Sequence, residues 1–141
     1  MSQYQHIVNV EGAVKKDDRL LTVIRSEVED HAAGTLSFIG GKVEFTHRQP
    51  SIIEATVKRE ILEEVGVEVG NIKYVTSTAF FTDDGRSVVN MVFVCDWESG
   101  EARAIDPDEV ASVHWMTLDE IRNHAKTPPW ILEYTDLIDN L

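Results

Sequence analysis

The chain has 141 residues, of which 43% are hydrophobic and 27% are charged, which is typical of one globular domain; we expect it to span residues 1–141. The 25 acidic residues outnumber the 13 basic ones and give a net charge of −12, which argues against nucleic-acid binding through bulk charge. The single cysteine, Cys95, excludes an internal disulfide, and no apolar run is long enough to span a membrane, so we expect a cytoplasmic protein without a membrane partner.

Short strands dominate the first third of the chain. β-branched residues predict strands over residues 5–14 and 20–25, on either side of a turn at 16–18. A further short strand is expected at 35–38, and it ends in the pair Gly40-Gly41.

A helix is expected after a loop at 45–50. Ser51, with Glu54 three residues later, has the signature of a capping box, so we expect Ser51 to be the N-cap of the helix. The helical pattern continues to about Val65. Gly66 is expected to end it, because glycine readily adopts the left-handed backbone of a helix terminus.

The second half of the chain predicts further strands and two more helices. In order, we expect one or two strands over 67–81, a turn at 82–85, an apolar strand over 87–97, a loop over 98–108, a strand over 110–116, and helices over 118–124 and 130–141. Helices separated by mostly antiparallel strands indicate an α/β sandwich with a mixed sheet.

Three glutamates in the first helix carry the strongest chemical signal. Glu60, Glu63 and Glu64 lie at i, i+3 and i+4 and therefore share one face. They border the apolar stripe expected to pack on the sheet, formed by Ile53, Val57, Ile61 and Val65. Each like-charged i,i+4 pair costs about 0.2–0.5 kcal/mol. A divalent cation such as Mg²⁺, which prefers carboxylate oxygens, would offset that cost; the alternative is a solvated acidic face.

The residues around these glutamates resemble the Nudix box, the pattern G-x5-E-x7-R-E-U-x-E-E-x-G-U, in which U is aliphatic. Residues 59–67, Arg-Glu-Ile-Leu-Glu-Glu-Val-Gly-Val, match the second half at every specified position. Residues 40–44 are similar to its opening segment. Asp108-Glu109 and residues 113–121 are similar to the closing strand and helix of Nudix domains, so the likeness covers nearly the whole chain.

The first half of the box departs from the pattern. Arg59 follows Gly41 by 18 residues where the pattern has 14, so we expect about four extra residues in the loop from Phe45 to Ser51. The first glutamate of the pattern would fall on His47 or on Ser51, and neither is acidic. In the family that glutamate mainly supports the box arginine and the loop, so the departure affects loop geometry more than metal binding.

The resemblance implies an enzyme that hydrolyses a nucleoside diphosphate linked to another moiety, with Mg²⁺ or Mn²⁺ as its cofactor. It implies that Glu60, Glu63 and Glu64 are metal ligands. The backbone carbonyl of Gly41 is a further expected ligand, and Arg59 is expected to position the glutamates, since it lies at i,i+4 from Glu63.

The resemblance leaves the general base open between two places. Some members of the family take it from the loop before the last strand, where this chain has Glu109. Glu63 or Glu64 is the alternative. Glu109 could also be an ordinary solvated carboxylate.

Three residues are candidate contacts for the substrate. Lys42 is either a phosphate ligand or an ordinary exposed lysine. Trp130 either stacks on a nucleobase or packs the last helix onto the domain. Phe81, like its neighbour Phe80, either lines a base pocket or belongs to the core.

Because the chain is little more than the core domain, we expect a MutT-like pyrophosphohydrolase acting on nucleoside triphosphates or related small nucleotides. Its expected partner is a small-molecule nucleotide and no nucleic acid, and it is expected to be a monomer or a homodimer. An ADP-ribose or nucleotide-sugar hydrolase, and a non-catalytic module that senses nucleotides, are the alternatives. An isomerase of the same fold would need a catalytic cysteine, and Cys95 lies in an apolar strand.

Overall fold

The computed structural model of the chain describes residues 4–29 and 31–141. The strands within those residues are β1 (Ile7–Lys16), β2 (Arg19–Arg25), β3 (Leu36–Ser37), β4 (Ile39–Lys42), β5 (Glu68–Phe81), β6 (Ser87–Ser99) and β7 (Val110–Thr117). The helices are α1 (Ile52–Val65), α2 (Leu118–Asn123) and α3 (Pro129–Asp139). None of these helices has the length and apolarity that a bilayer crossing requires.

β1 organises the sheet because both of its edges are paired. One edge runs parallel to β6, and the other strand pairs of the sheet are antiparallel, which confirms the expected mixed sheet. The opposite edge is shared, since β4 pairs with residues 9–12 and β2 pairs with residues 14–16. β2 then continues with β3 and β7. The sheet therefore divides into two branches beside β1.

α1 packs on the sheet through the apolar stripe that its sequence predicts. Val57, Ile61 and Val65 are buried, and Ile53 is half-buried beside them. The helix comes close to β1, because a Cβ at Gly12 would lie 2.9 Å from Ile61 Cδ1. Full burial of one such aliphatic side chain contributes about 1.5–3 kcal/mol, which exceeds the repulsion between a pair of glutamates on the same helix.

α2 and α3 cover the other face of the sheet. Ile121 and Ile131 are fully buried there in a second apolar cluster. Arg122 on α2 forms ion pairs with Asp136 at 3.0 Å and with Asp139 at 2.8 Å, both on α3. Exposed ion pairs contribute little energy, so the apolar contacts hold the helices and the ion pairs orient them.

Ser51 is the N-cap residue of α1, as predicted, but its side chain does not cap the helix. Ser51 adopts the left-handed conformation, with φ of 52°, and its side chain makes no capping hydrogen bond. The capping box with Glu54 is therefore wrong, because an N-cap side chain reaches the helix amides from an extended backbone. The predicted end is confirmed: Gly66 has φ of 75° and donates its backbone N–H to the carbonyl of Leu62.

The remaining elements follow the sequence within a few residues. Residues 68–81 form one long strand whose register with β6 shifts at three places. The loop predicted at 45–50 is irregular and exposed. Cys95 is buried in β6, and burial raises the pKa of its thiol to about 12, so it is unsuited to nucleophilic chemistry.

A close backbone approach at Gly40 predicts a stability effect. A Cβ at Gly40 would overlap with the backbone carbonyl of Val10, which cannot move without shifting β1. We expect Gly40→Ala to lower the free energy of unfolding by about 1–3 kcal/mol, measured by urea denaturation. Gly41→Ala is the matched control, because the atoms nearest to its added Cβ belong to the movable carboxylate of Glu60. Equal losses in the two variants would contradict this account.

Candidate functional site

A cleft of about 480 Å³ lies between β1, β4, the C-terminal half of α1 and the first turn of α3. Its walls carry many charged side chains of both signs, which are Glu11, Glu29, Glu60, Glu64 and Glu109 together with Arg25, Lys42 and Arg86. A concave site with opposed charges and half-buried acids is a default candidate for binding and chemistry.

Two of the three predicted metal ligands face this cleft. Glu60 and Glu64 lie one turn apart on α1 and both line it. Gly41 on β4 lies directly against Glu60, since a Cβ at Gly41 would overlap with that carboxylate. The lack of a side chain at Gly41 therefore leaves room for the Glu60 carboxylate, and Gly41 itself also lines the cleft.

Burial and mutual repulsion disfavour the charged forms of these acids. Burial, followed by the charges of Glu60 and Glu109, raises the pKa of Glu64 to about 8. Burial also raises the pKa of Glu60, against the lowering effect of Arg59. Loss of hydration likewise raises the pKa of Glu109, and Asp106 adds to it. The three acids thus lack the nearby positive charge that would fully stabilise their charged forms.

Glu63 takes a different position from the one predicted for a metal ligand. Its side chain is 58% exposed, and it does not line the cleft. Arg59 Nη1 donates to Glu63 Oε2 at 3.3 Å and to Glu60 Oε1 at 3.1 Å, which confirms the predicted Arg59–Glu63 contact. Arg59 thereby holds Glu63 at the rim and Glu60 inside.

The donor set suits a hard divalent cation with few protein ligands. Throughout residues 4–29 and 31–141, no three acidic, histidine or cysteine groups converge closely enough to hold one ion as they stand. Mg²⁺, however, is commonly bound by one or two carboxylates together with water and substrate phosphates. Glu60 and Glu64 supply two such carboxylates, and their raised pKa values are the response expected of acids that a cation would stabilise.

Basic residues reach the same cleft from other strands. Arg25 is the last residue of β2. Its Nε donates a hydrogen bond to the carbonyl of His31 at 2.9 Å, and its guanidinium forms an ion pair with Glu29 at 3.5 Å. Lys42 lines the cleft with an exposed side chain, which is compatible with both of its predicted roles, and Arg86 lines the cleft as well. Sequence reasoning missed Arg25 and Arg86, because single arginines at strand ends carry no local signal.

Glu11 is a further functional candidate that sequence reasoning missed. Its Oε1 accepts a hydrogen bond from Asn90 Nδ2 at 3.0 Å. Its Oε2 is buried and has no hydrogen-bond partner in the described part of the chain. Burial raises the pKa of Glu11 to about 7. The available signal was a carboxylate between the apolar residues Val10 and Ala13 of strand β1.

The aromatic candidates divide between the cleft and the surface. Trp130, at the start of α3, lines the cleft and is 41% exposed. Phe81 is 74% exposed and lies outside both the cleft lining and the buried core, so neither of its predicted roles matches its position. Phe80, for which the same two roles were expected, does line the cleft, since neighbouring side chains on a strand point to opposite faces.

Comparison with known proteins agrees with this geometry. The family model described as NUDIX domain matches residues 6–138. The NAD-capped RNA hydrolase NudC of Escherichia coli O1:K1 / APEC is 30% identical over 109 residues, which are 77% of this chain and 38% of that protein. The same-named protein of Enterobacter sp. (strain 638) has the same identity and coverage. The chain thus spans less than two fifths of the length of these relatives.

Solved structures share the fold. The MutT NUDIX hydrolase from Burkholderia pseudomallei superposes with a TM-score of 0.80 at 24% identity, covering 95% of this chain and 98% of that one. The MutT protein from Methanosarcina mazei Go1 gives 0.78 at 20% identity, with coverage of 99% and 97%. At these identities the likeness concerns the fold alone, and it agrees with the α/β architecture described above.

The raised pKa of Glu64 predicts a pH-dependent stability. The folded protein keeps a proton that the unfolded chain releases near pH 4.5, so the free energy of unfolding falls as the pH rises from about 4.5 to about 8. The Glu64→Gln variant lacks this titrating group, so it does not undergo the part of the stability loss that ionisation of Glu64 causes. With chelator present, we expect the thermal midpoint of Glu64→Gln to exceed that of the parent near pH 9 and to match it near pH 4.5. The midpoint rises by about 4 °C for each kcal/mol gained in the free energy of unfolding.

The exposed Glu54→Gln in the first turn of the same helix is the control; because it removes a favourable charge at the helix N-terminus, its midpoint near pH 9 is expected to equal or lie slightly below that of the parent, and not to exceed it. A Glu64→Gln difference that is the same at both pH values would contradict the predicted titration.

Proposed function

This chain belongs to the Nudix family, and from that premise we propose that it is a metal-dependent pyrophosphohydrolase. The proposed substrate is a nucleoside diphosphate linked to another moiety, with a nucleoside triphosphate or a related small nucleotide as the first choice. A cytoplasmic location and a monomeric or homodimeric state belong to the same proposal.

One arrangement carries the proposal. Glu60 and Glu64 line the same cleft as the cations of Arg25, Lys42 and Arg86. The acids provide oxygen donors for a metal ion, and the cations provide donors for phosphate oxygens. A merely solvated acidic helix face would leave Glu64 in water with an ordinary pKa, whereas burial raises its pKa to about 8.

The proposed cofactor is Mg²⁺ or Mn²⁺, held by Glu60 and Glu64. The carbonyl of Gly41 and the carboxylate of Glu63, turned inward from the rim, are the proposed further ligands. Such an ion would neutralise charge on the substrate phosphates and orient the attacking water.

The other polar residues have proposed roles of their own. Glu109 is the proposed proton acceptor for the attacking water, because its raised pKa improves its strength as a base. Glu64 and Glu63 remain the alternatives for that role. Arg59 acts as a positioning residue through its hydrogen bonds to Glu60 and Glu63.

The comparisons favour a second candidate substrate of the same class. The relatives that are 30% identical are named NAD-capped RNA hydrolases, so a dinucleotide pyrophosphate belongs in any substrate panel. ADP-ribose and nucleotide sugars remain candidates too. A non-catalytic module that senses nucleotides would bind members of the panel and cleave none of them.

Turnover of a nucleotide panel tests the proposed function. With Mg²⁺ or Mn²⁺ and added inorganic pyrophosphatase, we expect phosphate release from at least one nucleoside triphosphate; mass spectrometry follows the dinucleotides. Glu64→Gln is expected to lower kcat by about 100-fold or more, because a ligand of the ion is lost. Glu54→Gln should match the parent. Absence of turnover across the panel, or full activity of Glu64→Gln, would refute the proposal.

The contact between Gly41 and Glu60 generates a separate test. Gly41→Ala displaces the Glu60 carboxylate and is expected to raise the Mg²⁺ concentration for half-maximal activity by about tenfold, while thermal stability stays near that of the parent. A metal requirement that does not change in this variant would remove Glu60 from the proposed site.

A further inference from the structure

We propose that the apolar end of the cleft is a nucleobase subsite, in which Glu11 Oε2 accepts a hydrogen bond from the amino group of the base and Trp130 and Phe80 supply stacking surfaces. This inference rests on the proposed nucleotide-hydrolysing function and adds a substrate class to it. The class is nucleotides whose base carries an exocyclic amino group.

A second cavity extends the cleft away from the acidic end of α1. It has a volume of about 310 Å³ and shares Glu11, His31, Phe80 and Trp130 with the cleft. Glu60 and Glu64 line only the first of the two. A nucleotide whose phosphates lie beside these glutamates can therefore extend its base into the second cavity.

Aromatic groups give this cavity the character of a stacking site. The rings of His31 and Phe80 lie parallel, with centroids 5.8 Å apart and an angle of 10° between their planes. Trp130 lines the same cavity and remains 41% exposed, so its indole has free surface. Aromatic side chains stack on every base, which gives affinity without selecting among bases.

A polar chain at the back of the cavity leaves one acceptor free. Asn9 Nδ2 donates to Asn90 Oδ1 at 2.8 Å, and Asn90 Nδ2 donates to Glu11 Oε1 at 3.0 Å. Asn90 Nδ2 also lies 3.4 Å from the hydroxyl of Tyr134. These contacts use both ends of the Asn90 amide and orient Glu11. Glu11 Oε2 is left buried without a partner among residues 4–29 and 31–141.

A buried acceptor without a partner is costly, so a ligand that donates a hydrogen bond there gains affinity. Phosphate offers only acceptors near neutral pH and would be repelled by Glu11 and by Glu133, which lines the same cavity. An exocyclic amino group is a donor at the edge of a planar ring, and adenine, guanine and cytosine each carry one. The combination of free acceptor and aromatic surface therefore fits an amino-bearing base.

Paired substrates that differ in one amino group test the subsite. KM and kcat are measured near pH 9 for ATP and for purine riboside triphosphate, which lacks the 6-amino group, and for GTP and ITP, which differ in the 2-amino group. At this pH Glu11 is ionised, since its pKa is about 7. In the parent we expect KM to be about tenfold lower for the amino-bearing member of at least one pair.

Glu11→Gln separates hydrogen bonding from simple charge. Asn90 holds the amide oxygen of the new side chain, so its NH₂ group faces the ligand as a donor. The tenfold preference is expected to disappear, while kcat changes by less than about threefold. Glu54→Gln, a charge-neutralising control on exposed surface, is expected to keep the preference. A uniform rise of KM for both members of each pair would mean that Glu11 acts as a charge, and it would overturn the proposal.

Trp130 is tested by truncation and partial rescue. Trp130→Ala is expected to raise KM for all nucleotides by about tenfold and to leave the amino preference intact, and Trp130→Phe is expected to recover most of the loss. Leu137→Ala, at an exposed position of the same helix, is the control for helix stability. Parent-like KM in Trp130→Ala would overturn the stacking role.

Failure of this subsite is distinguishable from failure of the proposed hydrolysis. An active parent whose amino preference is absent, or survives in Glu11→Gln, overturns the subsite alone. A parent that turns over no nucleotide overturns the hydrolase. In that case calorimetric binding of ATP and purine riboside triphosphate decides the subsite: a tenfold preference lost in Glu11→Gln supports it, and equal affinities overturn it.

Discussion

The close approach of α1 to β1 and β4 is the constraint on which the site depends. Gly12 faces Ile61 and Gly41 faces Glu60, and a Cβ at either position would collide with the helix. Burial of the apolar stripe drives this packing and brings the carboxylates one turn apart into a partly dehydrated cleft. Their raised pKa values follow from that burial. Hydrophobic packing thus places the carboxylates where their charged forms lack a nearby positive charge, which a cation would supply.

The division of the sheet supplies the other side of the cleft. β4 and β2 share one edge of β1, and β2 carries Arg25 at its end. In the pairing of β2 with β7, Arg25 lies opposite Val110, so Arg25 and Glu109 come to the same end of the sheet. A backbone hydrogen bond of 3.1 Å from Ser26 to Glu109 fixes this junction. Acidic and basic groups from distant parts of the chain therefore meet over the cleft.

The polar chain behind Trp130 follows from the register of two parallel strands. Asn9 on β1 lies directly opposite Asn90 on β6, and Glu11 projects from the same face of β1 two residues later. The register thus places the Asn90 amide between the Asn9 amide and the Glu11 carboxylate. The same alignment orients Glu11 toward the cavity and leaves one of its oxygens without a partner in the described residues.

The acidic face of α1 and the end of the helix were predictable because they depend on neighbours along the chain. Spacing of three and four residues puts Glu60 and Glu64 on one face of α1, and glycine ends the helix at Gly66 because it accepts a left-handed backbone. The family likeness rests on the same local residues. The positions of the glutamates and of the helix end were therefore available from the sequence.

Tertiary structure decided the features that depend on residues far apart in the chain. Glu11 became a candidate only through Asn90, 79 positions away, and the pairing of β5 with β6 places Phe80 rather than Phe81 at the cleft. Sequence by itself determined the helix face that carries the acids, since helical geometry is local. Strand register and helix packing determined which groups face those acids, because such contacts form only when distant segments fold together.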